Sequence, residues 1–282
     1  MTFIKNNPNK FNSRCPSTEI WDQWLAGLID GDGCFCISKK GQISCEITMS
    51  LADERLLQEV KNVVQGVLKL RSGSKSIRLR IFRKSDLITL IHRVNGHIRL
   101  ASRHQQFKKV CEQFEIPCLN IVNLHATSGY MAGFFDADGS VTFTVNKSQT
   151  ESSITPANYG KYIRLSQGGL YSQLSLHIVS KDANVLYEIQ NALGFGKICV
   201  EKASLSNKRP NVLYRYYFRN QDDVTAWLTY IKKAPLRSVK KKRCFFLPNY
   251  FTLKAAKADL SKHGEPALTL WDIFCRRWFE IH

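Results

Sequence analysis

The chain has 282 residues, 44% of them hydrophobic and 23% charged, which is enough for about two folded domains of ordinary globular composition. Collagen-like, fibrous and disordered classes are excluded. Its 41 Lys and Arg against 23 Asp and Glu leave a net charge of +18, interleaved with apolar residues rather than gathered in a tail. A folded body with that charge calls for a polyanion, either a nucleic acid or an anionic membrane surface. No 18 consecutive residues are apolar, and the first 15 hold neither an apolar signal core nor an Arg-rich amphipathic helix, so membrane spanning and secretion are not expected. The nine cysteines are odd in number, scattered and without a CxxC pair, which reads as reduced thiols rather than a zinc site.

After a tail over residues 1–17, an apolar helix is predicted over 18–30, with Ser17 or Thr18 as N-cap. Gly33 relieves the tight turn that follows, and Cys34 and Cys36 share one face of a strand. Residues 42–51 alternate strictly. Ile43, Cys45, Ile47, Met49 and Leu51 fall on one face, and Gln42, Ser44, Glu46, Thr48 and Ser50 on the other. That period marks a sheet with one face on a core and one in water. A helix over 53–65 carries Leu56, Leu57, Val60, Val63 and Val64 at helical spacing. Strands over 67–71 and 76–84 put Lys69, Arg71, Arg78 and Arg80 on the wet face. Helices over 85–94 and 103–114 close the first half, and 116–127 is a linker. A second helix is predicted over 128–136, capped by Ser128. Residues 147–170 read as a long loop, and the second half ends near 246. The extension beyond it ends in a helix over 266–280, with Leu270, Ile273, Phe274 and Trp278 on its packing side. Phe35, Phe143, Tyr216 and Phe218 are read as core.

The chain repeats itself. Trp24-Leu25-Ala26-Gly27-Leu28-Ile29-Asp30-Gly31-Asp32-Gly33 returns as Tyr130-Met131-Ala132-Gly133-Phe134-Phe135-Asp136-Ala137-Asp138-Gly139, at a constant offset of 106. Leu57 to Val60 answers Leu186 to Ile189 at an offset of 129, and Ile98-Arg99 answers Leu236-Arg237 at 138. Two fused copies, at 18–115 and 128–246, are the simplest account. Each reads α-β-β-α-β-β-α, an α+β half with an antiparallel sheet.

Within each decapeptide, small residues four apart (Gly27 and Gly31, Gly133 and Ala137) leave a flat stripe on a helix. Two such helices can pack closely and form the interface between the halves. That packing brings Asp32 and Asp138 together at two helix C-termini, where they repel each other and the helix dipoles. A divalent cation resolves the conflict, and a few hard oxygen ligands suit Mg²⁺. Asp30 and Asp136 are read as structural. No Ser-His-Asp or Cys-His arrangement competes.

The paired decapeptides, each followed by the right strand and helix order, resemble the double signature of the LAGLIDADG homing endonucleases. The likeness covers residues 20–245. It implies a monomer with pseudo-two-fold symmetry, two saddle-shaped antiparallel sheets straddling double-stranded DNA, and staggered cutting of a long target. It also implies that the carbonyls of Gly31 and Ala137 join Asp32 and Asp138 around the metal, that Mn²⁺ substitutes for Mg²⁺, and that Ca²⁺ binds without cleavage. The family often places a lysine in the cleft where this chain has Val239 and Ala101. Lys240 serves with a shift of one residue, and Arg103 or Ser102 in the first half. Ser44, Glu46, Thr48, Lys69, Arg71, Arg78, Arg80, His177, Arg215 and Lys241 are the expected DNA contacts. The host is expected to be a mitochondrion or chloroplast. The competing function is a group I intron maturase, which binds intron RNA and needs no acid pair. A regulator on the same fold needs a helix-turn-helix module, and none is evident.

Overall fold

The computed structural model describes residues 16–145, 172–201, 212–261 and 265–280. The predicted tail before residue 16, the predicted loop over 147–170 and the side chain of Phe143 lie outside the described residues. In chain order the first half comprises α1 (Pro16–Asp32), β1 (Gly33–Ile37), β2 (Ile43–Ser50), α2 (Glu54–Val64), β3 (Val67–Leu70), β4 (Ser76–Ile81), α3 (Lys84–Val94) and α4 (Ala101–Gln113). The second comprises α5 (Tyr130–Asp138), β5 (Gly139–Val145), β6 (Ser172–Ser180), α6 (Ala183–Leu193), β7 (Lys197–Glu201), β8 (Leu213–Phe218), α7 (Gln221–Lys233) and α8 (Lys240–Ala255). A last helix, α9 (Pro266–Glu280), follows. The two sheets are antiparallel and share one topology, β1-β2-β4-β3 and β5-β6-β8-β7. The α+β class and the duplication therefore hold.

Each half covers one sheet face with helices. On α2, Leu56, Leu57, Val60 and Val64 form the buried stripe against β2 and β4. Phe35, Tyr216 and Phe218 are buried, as their apolar bulk requires. The eight described cysteines are free thiols. Among the described residues no helix is long and apolar enough to cross a membrane.

The halves meet through α1 and α5. A helix apolar on every side must be central. Trp24, Leu25, Ala26, Leu28 and Ile29 are fully buried, and so are Ala132, Phe134 and Phe135. A Cβ on Gly27 would collide with the Tyr130 carbonyl, and one on Gly133 with the Trp24 carbonyl. The two backbones touch, so only glycine fits. Gly129 packs the same way on the Ile20 carbonyl, and its N–H donates to Gln23 Oε1 at 2.9 Å. The sequence reading passed over Gly129, although it stands four before Gly133.

Reciprocal contacts lock this crossing. Trp24 Nε1 donates to Asp136 at 2.8 Å, and Tyr130 Oη donates to Asp30 at 2.6 Å. Asp30 also accepts the Arg99 and Leu100 N–H groups at 2.7 and 3.2 Å. Asp136 accepts the Arg237 and Ser238 N–H groups at 2.8 and 3.0 Å, and the Ser238 hydroxyl at 2.5 Å. Arg237 lies over the Trp24 ring and pairs with Glu59 at 3.0 Å, while Arg99 lies over Tyr130 and pairs with Glu188 at 2.6 Å. Asp30 and Asp136 are thus structural acids.

Several boundaries differ from the sequence reading. Pro16, preorganised for a first helical turn, starts α1 ahead of Ser17 and Thr18. Gly129 is the N-cap of α5, although the Ser128 hydroxyl still accepts the Tyr130 N–H at 3.2 Å. Helices α1 and α5 run on to Asp32 and Asp138, so these acids end the helices rather than follow them. Leu51 leaves the sheet in a 3₁₀ turn and is exposed, and β4 stops at Ile81 because residues 84–94 wind into α3. On α9 the buried side is Leu268, Trp271, Phe274, Cys275 and Trp278, and Leu270 and Ile273 are exposed. The two tryptophans bury more surface against α8 and so set the helix's rotation.

Replacing Gly133 by Ala gains about 1 kcal/mol of helix propensity. The collision with the α1 backbone outweighs that gain, so the net expectation is a loss of roughly 1–3 kcal/mol in unfolding free energy, read by urea denaturation.

Candidate active site at the paired helix ends

Asp32 and Asp138 are the last residues of α1 and α5. Their helices meet at Gly31, where an added Cβ would strike the Ala137 Cβ and lie 3.1 Å from Asp138 Oδ2. The second half's carboxylate therefore leans onto the first half's last turn. Burial, and next the charge of Asp138, push the Asp32 pKa up to about 7, against the pull of Lys240. Burial also raises that of Asp138, against Lys240 and Arg103.

Lys240 opens α8, and its Nζ donates to the Phe135, Asp136 and Ala137 carbonyls at 3.1, 2.7 and 2.7 Å. An ammonium on the last carbonyls of a helix satisfies acceptors that have no intrahelical donor. Burial lowers its pKa, while Asp136, Asp32, Asp53 and Asp138 raise it. The Ala137 carbonyl, expected at a metal, thus already accepts a hydrogen bond from Lys240. In the first half Arg103, on α4, acts on Asp138 through its charge. Its Nη1 donates to Gln106 Oε1 at 2.8 Å, and that oxygen also accepts the Phe35 N–H at 3.2 Å. One basic residue from each half flanks the acids.

A third carboxylate escaped the sequence reading. Asp53 is buried, and its Oδ1 accepts the Val239 N–H at 2.8 Å. The available signal was its echo, Asp182, at the repeat offset of 129. Among the described residues no three His, Cys, Asp or Glu side chains group as a metal site. Two abutting carboxylates with helix-end carbonyls suit a hard cation that keeps open positions, and they do not suit zinc.

The expected DNA contacts divide. On the first sheet Glu46 pairs with Arg78 at 2.6 Å and Arg80 at 3.2 Å, and Arg78 Nε donates to Thr48 at 3.2 Å. Glu46, Arg78 and Arg80, with Lys69 and Arg71, line a groove of about 500 Å³. On the second sheet His177 stands in register with Ser140 and Tyr217, and Arg215 pairs with Glu201. Burial, and then Arg215, push the His177 pKa down to about 4, so its ring is neutral at pH 7. Ser44 is not on the open surface. It is buried, because a short side chain has little surface of its own between longer neighbours. Lys241 does not join the sheet residues either. One helical residue turns it about 100° from Lys240, into a groove with Leu228, Ile231 and Phe245.

The LAGLIDADG endonuclease family model matches residues 25–114 and 131–250, which take in both sheets and all but the first residue of each decapeptide. The chain belongs to the LAGLIDADG endonuclease family. A probable intron-encoded endonuclease, aI2, of Debaryomyces hansenii is 32% identical over 98% of the chain and 39% of its own length. The intron-encoded RNA maturase bI4 of Saccharomyces cerevisiae is 33% identical over 92% of the chain and 36% of its own. The chain thus spans under two-fifths of these relatives. The intron-encoded DNA endonuclease ai2a of Dictyostelium discoideum is 28% identical over 98% of the chain and 82% of its own length. Among solved structures, the LAGLIDADG meganuclease I-AabMI bound to uncleaved DNA shares the fold. Its TM-score is 0.64 at 20% identity, over 89% of this chain and 98% of that one.

Asp30 gives a pH test. Burial raises its pKa to about 6, against the hydrogen bonds from Tyr130, Arg99 and Leu100. Its Oδ1 has no hydrogen-bond partner, so a proton there leaves the Oδ2 network intact. The folded chain therefore binds this proton more tightly than the unfolded one. Stability from this group is full below pH 4 and falls as pH rises to about 6, by on the order of 3 kcal/mol. Urea midpoints at pH 4 and 7 should differ less in Asp30→Asn than in the parent chain.

Proposed function

We propose that the chain is a site-specific DNA endonuclease that makes a staggered double-strand break in a long target by metal-dependent phosphodiester hydrolysis. The observation that carries this reading is the pair of acids, Asp32 (half-buried) and Asp138 (exposed), abutting at two helix ends beside Lys240 and Arg103. In this reading Asp32, Asp138 and the carbonyls of Gly31 and Ala137 hold Mg²⁺. When bound, a divalent cation there supplies positive charge to the scissile phosphate and to the leaving oxygen, and acidifies a water. Both acids must be ionised to hold it, and Lys240 and Arg103 favour those charges. Lys240 also keeps the last turn of α5 in place, which orients Asp138.

The sheets carry recognition. An antiparallel ribbon fits the major groove, where arginines reach guanine O6 and N7 or contact phosphates. Glu46 and His177 stand at matching places, each paired with the second residue of the strand after a decapeptide, Cys34 and Ser140. An acid that holds two arginines and a neutral imidazole read different bases, so the target is not a palindrome. Because one chain supplies both acids, a monomer suffices. The intron-encoded relatives favour an organelle, mitochondrion or chloroplast, as the host.

A second reading rests on the likeness to the intron-encoded RNA maturase of yeast. The same basic body would bind group I intron RNA and assist its splicing, with or without DNA cleavage.

Selection of cut sites from a library of intron-less gene junctions tests the first reading. With Mg²⁺ one site is cut, and with Ca²⁺ it is bound intact. Asp32→Asn and Asp138→Asn each lose at least about 100-fold in cleavage rate while still binding. A chain that cuts no duplex but binds a group I intron RNA tightly belongs to the second reading. For the groove, Lys69→Ala should flatten the slope of log affinity against log salt by about 0.9, as loss of one phosphate contact does.

A further inference from the structure

We infer that Asp53 is a positioning residue for Lys240, acting from the first half on the active-site lysine of the second. The inference rests on the nuclease reading for its catalytic meaning, although the anchoring itself does not.

An aspartate at the start of a helix normally turns its carboxylate onto the helix's own N–H groups. Asp53 stands at the N-cap of α2 and makes no such bond. Its Oδ1 instead crosses the boundary between the halves to the N–H of Val239 at 2.8 Å. Val239 is the N-cap of α8, and Lys240 is its first residue. Val239 has no side-chain oxygen to cap the helix, so Asp53 supplies an acceptor from outside. A carboxylate at that end also complements the helix dipole.

The consequence lies one residue on. Lys240 reaches from the first turn of α8 to three carbonyls at the end of α5. A shift or fraying of that turn moves the ammonium away from both acids. The field of Asp53 also reaches Lys240 and Asp32.

The repeat provides an internal comparison. Asp182, the counterpart of Asp53, caps its own helix through the Asn184 N–H at 3.0 Å and reaches across to the Ala101 N–H at 3.2 Å. It does both jobs, whereas Asp53 does only the crossing one. The residue after Ala101 is Ser102, which carries no charge, so the link from Asp182 holds no lysine. Asp53 is buried and Asp182 is not. The duplicated contact has been specialised on one side.

The test is a mutant cycle read by single-turnover cleavage and by DNA binding in Ca²⁺. Asp53→Ala should slow cleavage roughly 10–100-fold, the range for removing a group that orients a site residue, with affinity changed less than about twofold. Asp53→Asn keeps the acceptor for the Val239 N–H and should retain activity within about threefold. In a Lys240→Met background, Asp53→Ala should cost nothing further, because the lysine it orients is gone. An undiminished loss in that background, or an Ala variant as fast as the parent, overturns the inference. Amide exchange at Val239 reports the anchor without any cleavage: faster in Asp53→Ala and near parental in Asp53→Asn. Unchanged exchange in Asp53→Ala overturns the anchor even if the chain cuts DNA. A parent chain that cuts nothing, with exchange behaving as stated, overturns the nuclease reading alone.

Discussion

Two helices that cross with their backbones in contact leave no space for side chains between them, and the rest of this molecule is arranged around that contact. Gly27, Gly129 and Gly133 are there because a Cβ at any of them would enter a carbonyl of the facing helix. Helix propensity argues against glycine at such positions, so the contact overrides the local preference. Close approach brings large gains in dispersion and apolar burial, and it fixes the two halves as one body. It also fixes the distance between whatever stands at the two helix ends.

What stands there is an electrostatic conflict. Asp32 and Asp138 stand against each other, at helix ends that themselves carry partial negative charge. Two residues earlier, Asp30 and Asp136 show how the same side chain is satisfied when it points the other way. Two residues turn about 200° on a helix, so these acids face inward. There they meet backbone N–H groups, a tyrosine hydroxyl and an indole N–H. The inward acids are matched by fixed donors and hold the fold. The outward acids face two cations and an open side, which is the condition for binding a hard cation and a phosphate.

The duplication is symmetric in backbone and unequal in chemistry. Trp24 answers Tyr130, Arg99 answers Arg237, and Glu59 answers Glu188, each making the reciprocal contact. Such pairs belong to the frame, where both halves face the same packing problem. Away from the frame the copies diverge. Glu46 stands opposite two arginines where His177 stands beside a tyrosine, and a lysine flanks one side of the acid pair where an arginine flanks the other. A two-fold scaffold with two different surfaces suits a partner whose two halves differ.

The sequence by itself determined the repeat, the α+β order, the basic surface and the acid pair. These rest on local signals: period-two alternation, small residues four apart, and a decapeptide that occurs twice. It also assigned Asp30 and Asp136 to the frame and Lys240 to the cleft. Only the tertiary structure decided which side chains of each surface are reachable. Ser44 sits on the correct strand face and is still buried, because its neighbours on that face are larger. Lys241 is one residue from Lys240 and points into a different groove, since a helix turns each successive residue by about 100°. The rotation of α9 was set by where two tryptophans find cover. The repeat echo marked Asp53 only as a recurring residue, and its place at the site rests on a partner, Val239, 186 positions away in the chain. Local patterns report what a segment prefers, and contacts between distant segments form only when both cores are packed and the two helices have met.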